Sequence, residues 1–236
     1  MNLNMTQRAA GQEIMDDFSL EGEELRDALD KIAAINKMLG GNSLTLSGVE
    51  KLLKCCKHKT ITIIDIGCGN GDMLRMLATY GRCKGYNFTL IGIDANAFTV
   101  QYAETLSVGY EEVYYRCLDV FSEAFDALDY DIALCTLTLH HFSDAEIVGL
   151  MRKVVAKARI GVVVNDLNRS KIAYRLFEAL CFFFRLNRMS KEDGLVSIRK
   201  GFKKPELIAF SKKLGLKKFK VAWRWAFRYE WIIYNI

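Results

Sequence analysis

Apolar residues change their period along this chain. Leu25, Leu29, Ile32, Ile35, Met38 and Leu39 recur at helical spacing and stop at Gly40-Gly41, and a second helical stretch covers about 46–56. Short β-branched runs then alternate with amphipathic stretches: strand 61–66, helix 71–80, strand 88–93, helix 97–106, strand 113–117, strand 131–136, helix 144–157 and strand 160–164. Ser143 or Asp144 offers an N-cap for the last of these helices. Such alternation predicts a parallel sheet with helices on both faces. The tail differs: Lys204-Pro205-Glu206 starts a helix that Gly215 ends, and 216–223 and 226–234 read as two strands. Their connection is too short for a parallel crossover, so they pair antiparallel.

The densest chemical signal is residues 61–72, Ile-Thr-Ile-Ile-Asp-Ile-Gly-Cys-Gly-Asn-Gly-Asp. A buried strand rises into Asp65 and meets glycines at 67, 69 and 71, a turn too tight for side chains that opens into a helix. Such a bend lets a nucleotide-like ligand lie against backbone N–H groups at a helix N-terminus. The spacing is G-x-G-x-G, with Asp72 where a dinucleotide-binding turn places its third glycine. A carboxylate two residues before the first glycine suits a cationic or hydrogen-bond-donating ligand group, not a pyrophosphate. Downstream, strand-ending acids follow at Asp94 and Asp119, at the carboxyl edge where α/β sheets bind ligands.

These landmarks resemble the class I S-adenosylmethionine (SAM) dependent methyltransferases. Residues 65–71 look like their motif I, and 130–142, ending Thr-Leu-Thr-Leu-His-His-Phe, like motif IV, whose strand end faces the transferred methyl group. The resemblance implies a Rossmann-like α/β fold: a seven-stranded, mostly parallel sheet with a C-terminal antiparallel hairpin and an N-terminal helical cap. It implies SAM as cofactor and S-adenosylhomocysteine (SAH) as product, bound by Asp65, Gly67, Cys68, Gly69, Asp94, Ala95, Asp119, Val120 and Thr136. Asp94 would take the ribose hydroxyls and Asp119 the adenine amino group. Residues 13–17, 36–41 and 191–202 are further similar to bacterial stand-alone methyltransferases related to the quinone-type enzymes, some of polyketide-like and phenolic pathways. One domain is expected: a cap at 1–57, a cofactor-binding core at 58–165, an acceptor-side lid at 166–203, and a closing helix and hairpin at 204–236.

Composition narrows the function. The 236 residues are 51% hydrophobic and 26% charged, as in an ordinary globular enzyme, and a net charge of +5 is mild for a nucleic-acid binder. Seven cysteines without metal-ligand spacing, and an N-terminus without an apolar leader, predict reduced thiols and a cytoplasmic protein. The apolar helix at 172–186 is interrupted by Arg175, Glu178 and Arg185, too short and too charged to span a bilayer, though weak contact with a membrane surface remains open. It reads as packing on the core or as lining for an acceptor pocket, with Asp166, Tyr174, Arg175 and Phe183 as candidate substrate-binding residues. His140 and His141 follow the motif IV strand and titrate in the range a general base needs. No metal site is expected. The leading expectation is methyl transfer to an oxygen or carbon of a small, fairly apolar acceptor (phenolic, quinol or polyketide-like). RNA or protein methylation, and a non-catalytic SAM-binding subunit, are the alternatives.

Overall fold

The computed structural model describes residues 3–184 and 186–236; Arg185, one of the charges expected to interrupt the lid helix, lies outside the described residues. The cap consists of a short 3-10 turn, Ile14–Asp16, followed by α1 (Glu23–Met38) and α2 (Gly41–Leu53). The central alternation runs β1 (Thr60–Ile66), α3 (Asp72–Lys84), β2 (Asn87–Asp94), α4 (Ala97–Leu106), β3 (Val113–Cys117), a single helical turn α5 (Glu123–Asp126), and β4 (Ile132–Thr136). A 3-10 turn, Leu139–His141, leads to α6 (Asp144–Lys157) and β5 (Gly161–Leu167). The lid helices α7 (Lys171–Phe183) and α8 (Arg188–Lys200) follow, then α9 (Lys204–Lys213), β6 (Phe219–Arg224) and β7 (Arg228–Tyr234).

The seven strands lie in the order β3-β2-β1-β4-β5-β7-β6. The first five pair parallel, and β7 pairs antiparallel with both β5 and β6. The predicted fold class is the observed one. On one face Ile64, Ala133, Val162 and Trp231 pack against Ile147, Leu150 and Val154 of α6 and Phe210 of α9. On the other, Ile63, Leu90, Val163 and Ile232 pack against Leu52 of α2 and Leu77 of α3. Central strands buried on both faces are near-continuous apolar runs, which is why they were readable in the sequence. Helix starts follow local chemistry as well: the Asn96 side chain accepts from the Thr99 N–H at α4, and Ser143 and Glu146 form a capping box at α6.

Three segments depart from the sequence reading. Helix α2 begins five residues earlier, at Gly41, and stops at Leu53. Strand β5 runs on to Leu167, through the buried polar pair Asn165 and Asp166. Helix α8 has no counterpart among the predicted elements, because its buried positions include Ser190, Asp193, Ser197 and Lys200, so no apolar stripe betrays it. It packs against α1, α7, β5 and both 3-10 turns, roofing the carboxyl edge of the sheet. No helix among the described residues is long and apolar enough to cross a membrane.

Candidate active site

The glycine bend hangs on β2: the N–H groups of Gly67 and Cys68 both donate to the Ile93 carbonyl, at 2.8 and 3.0 Å. Gly67 has φ of 70°, and a Cβ there would lie 2.6 Å from the Thr138 side chain. Only glycine permits that conformation beside that neighbour. Asp65, 2% exposed at the end of β1, has an Oδ1 with no hydrogen-bond partner among the described residues. Burial, with Asp72 and Asp94 adding repulsion, pushes its carboxyl well above the ordinary 3.8. An orphaned buried carboxylate beside bare backbone fits a ligand that brings an ammonium or donor group. Asp94 is held in place, Oδ2 accepting from the Gly69 N–H at 3.2 Å and Oδ1 from the Asn96 N–H at 3.1 Å. Burial raises its carboxyl, and these backbone bonds offset part of the rise.

A cavity of about 730 Å³ opens over the strand ends, and all nine cofactor residues expected from the sequence border it. Asp119 is exposed at its mouth with Oδ1 accepting from the Phe121 N–H, and Val120 is a buried wall residue. The Thr136 hydroxyl lies 3.1 Å from that of Thr45 on α2, so the cap shares this residue with the cavity. Two non-glycine residues with positive φ, Leu137 (57°) and Phe227 (56°), also line the cavity. Backbone outliers of this kind concentrate at functional sites.

His140 and His141 meet over the same cavity, ring centroids 4.3 Å apart. His140 Nδ1 lies 2.7 Å from Asp166 Oδ1, its backbone N–H donates to Asp166 Oδ2 at 3.2 Å, and its Nε2 lies 3.8 Å from Glu13 Oε1. Burial pushes the Asp166 carboxyl up, but His140 outweighs it and holds the group below its usual value. His141 Nδ1 lies 2.6 Å from Asp16 Oδ1. Burial disfavours the His141 cation, yet Asp16 and Glu13 prevail and raise its pKa. For Asp16 burial is likewise overcome, chiefly by the His141 hydrogen bond, leaving the carboxyl far below its ordinary range.

The N-terminal turn is clamped over the histidines from α8. Lys200 Nζ sits 3.1 Å from Glu13 Oε1 and 3.2 Å from Asp16 Oδ2, the Ser197 hydroxyl donates to Glu13 Oε2 at 2.6 Å, and Asp193 accepts from the N–H groups of Ile14 and Met15. Arg8 donates to the carbonyls of His140 and Phe142 at 2.9 Å. Asp193, Ser197 and Lys200 lie in the 191–202 segment of the family resemblance, which gave them no role, and Arg8 had no signal at all; all four reach this cluster across most of the chain. Glu13, His140 and His141 bring ligand-type atoms within 4.8 Å of one another, a grouping compatible with a metal ion where no metal was expected. The Lys200 ammonium already supplies positive charge there.

The four candidate substrate residues are placed elsewhere. Asp166 is 1% exposed, is not part of the cavity wall, and serves His140. On α7 the cavity-facing residues are Ala173, Leu176, Phe177 and Leu180, a helical stripe that leaves Tyr174 and Arg175 on other faces. Arg175 instead pairs with Glu178 at 2.6 Å in the open. Phe183 ends the helix beyond the cavity's edge, 78% exposed beside Phe182 and Phe184.

The family described as "Methyltransferase domain" matches residues 63–161. The chain matches no curated protein sequence. Among solved structures it is similar to the plantazolicin methyltransferase BpumL in complex with SAH (TM-score 0.65, 17% identity, 90% of this chain and 96% of that one). It is also similar to magnesium protoporphyrin IX methyltransferase (ChlM) from Synechocystis PCC 6803 with bound SAH (TM-score 0.54, 16% identity, 84% and 85%). An O-methyltransferase family protein from Burkholderia thailandensis aligns with a TM-score of 0.61 at 14% identity, over 88% and 59%. The matched segment lies on this sheet order, with the glycine bend and strand-end acids around one cavity, so residues 63–161 form a methyltransferase domain within a Rossmann-like fold.

Proposed function

We propose that the chain transfers the methyl group of SAM to an oxygen or carbon of a small, fairly apolar acceptor of phenolic, quinol or polyketide-like kind. The observation that carries this is the apolar part of the cavity wall: Leu176, Phe177 and Leu180 of α7 with Phe227, and the largely exposed Trp225 at its edge, from the closing hairpin. That wall suits an aromatic ring better than a nucleic-acid strand or an extended peptide. Bound at the glycine bend, SAM supplies a methyl carbon activated by its sulfonium. Asp65 receives the amino group, Asp94 the ribose hydroxyls and Asp119 the adenine amino group. The roof of α7 and α8 excludes water and holds the acceptor in line. His140 takes the acceptor proton on Nε2, its ring oriented by Asp166 at Nδ1, as in other carboxylate-oriented bases. His141, whose cation Asp16 and Glu13 favour, pins the N-terminal turn over the site. The seven cysteines are all free thiols, which supports a cytoplasmic setting.

The test is methyl transfer from labelled SAM to a panel of phenols, quinols and pyrones, run beside His140→Gln. Labelled product with the wild type, and a turnover lower by about 10²–10⁴-fold in the variant, is the expected result. Full turnover in His140→Gln removes the assigned base. Label appearing only in RNA or protein substrates overturns the small-molecule reading.

A further inference from the structure

Arg228 opens β7 and is 3% exposed, yet its Nε and Nη1 have no hydrogen-bond partner among the described residues, and it borders the cavity. A buried guanidinium without an acceptor is a costly arrangement unless a ligand completes it. The carboxylates nearest in the sheet are engaged elsewhere. Glu230, two residues along the same strand, is held by Lys51 and by Arg224 Nη2 at 2.6 Å. Asp166 gives one oxygen to His140 Nδ1 and to the Leu167 N–H, and the other to the His140 N–H. Burial draws the guanidinium down to about 10, with Asp166 opposing, so it stays charged at neutral pH.

The start of α2 comes up against the same group. A Cβ on Gly41 would lie 3.1 Å from Arg228 Cζ. This helix is 13 residues long, its N-cap Gly40 makes no side-chain capping bond, and its first turn holds no acidic residue. The positive end of a helix and a buried guanidinium therefore converge, with the amide oxygen of Asn36, unpartnered among the described residues, beside them and the nearby Asp72 carboxylate engaged by the Asn42 amide. Their place in the sheet is the acceptor's side. β7 is three strands from β1, about 14 Å at ordinary strand spacing, and Arg228 adjoins the hairpin residues Trp225 and Phe227.

We propose that Arg228 and the start of α2 bind a carboxylate carried by the methyl acceptor, so that the preferred acceptor is an aromatic acid and not a neutral molecule. This rests on the small-molecule reading above and adds the acceptor's charge to it. The guanidinium offers two parallel donors to a planar carboxylate, a fit that a neutral amide lacks.

The experiment titrates benzoate, and benzamide as its neutral counterpart, into the SAH-loaded protein, following the Arg228 Nε–H resonance, with calorimetry of SAH alongside. Benzoate is expected to shift that resonance and benzamide to leave it in place. In Arg228→Gln, benzoate affinity is expected to fall at least about tenfold while SAH affinity holds within about twofold. Benzoate leaving the wild-type resonance unmoved, or binding the variant equally well, overturns the proposal. So does a fall of about tenfold in SAH affinity in the variant, which assigns the guanidinium to the carboxylate of SAM itself. Should Arg228→Gln fail to fold, the wild-type comparison of benzoate with benzamide decides alone. A wild type that binds no SAH strikes instead at the methyltransferase reading.

Discussion

Asp65 works against the ligand-free fold and for the bound one, and replacing it with asparagine separates the two effects. Its carboxyl is buried, has a partnerless oxygen, and is pushed up by burial first and by Asp72 and Asp94 after it. A group whose folded pKa exceeds the unfolded value holds its proton more tightly in the folded state. Its contribution to stability therefore falls as pH rises through the unfolded value near 3.8 and levels off above the folded one. Asparagine keeps a buried polar group but removes the charge, so the gain is the charged excess alone. At pH 7 that is about 1–2 kcal/mol, or about 2–8 °C in Tm for a chain of this size. Binding moves the other way: a lost charge-assisted hydrogen bond of about 1.5–3 kcal/mol weakens SAM about 10- to 150-fold. Thermal melts of both proteins without ligand, at about pH 4 and pH 7, should show the variant more stable only at the higher pH. Calorimetry with SAM should show the loss of affinity. A variant that melts below the wild type at pH 7, or binds SAM as well, refutes this account of Asp65.

Other substitutions probe the neighbouring parts. Gly71 has φ of 77°, and a Cβ there would overlap the Tyr115 ring, whose hydroxyl lies 2.7 Å from Ser107 Oγ. Gly71→Ala should cost at least about 1–2 kcal/mol from the backbone alone and lower Tm by about 2–8 °C in a scanning melt. Asp166→Asn should reduce kcat by about 10²–10⁴-fold with SAH affinity kept, and combining it with His140→Gln should add little, since the pair acts as one unit. Additive losses in steady-state kinetics would separate the two residues. For His141 the folded pKa is raised, so its stabilisation is complete below the unfolded value of 6.5 and is lost as pH rises through the folded one. Amide protection at Ile14–Asp16, corrected for intrinsic exchange, should decline as pH rises above 6.5 in the wild type and stay level in His141→Gln.

The parts of this molecule that were legible in its sequence are those whose physics is local. The strand into Asp65, the three glycines and the acids at 94 and 119 each announce themselves within a few residues, because a tight bend and a strand end are short-range structures. The closing hairpin was legible for the same reason, from the length of its connection. Helix α8 was not, since it buries Asp193, Ser197 and Lys200 through partners drawn from the far N-terminus, and its inward face carries no apolar stripe. The inward face of α7 was not legible, because the helix is apolar through most of its circumference; Ala173, Leu176, Phe177 and Leu180 line the cavity, and Tyr174 and Arg175 lie on other faces. Arg228 carried no signal at all: in the sequence it is one cation in a basic, aromatic tail, and only the start of α2, nearly 190 residues earlier, makes its burial chemically consequential.

That division has a functional consequence. The donor end of the cavity is built from contiguous backbone in β1, β2 and the turns that follow them, and a substitution there meets glycine conformations and buried carboxylates with little freedom to adjust. The acceptor end is built from side chains of the cap, the lid and the hairpin, joined by pairs such as Lys200 with Glu13 and Asp193 with the Ile14 amide. The cap and lid segments lie outside the sheet. A fold shared with BpumL at 17% identity is what that arrangement permits. The acceptor of this enzyme is therefore to be sought in the chemistry of residues 13–16, 173–200 and 225–228, and there the unmatched charge is the guanidinium of Arg228.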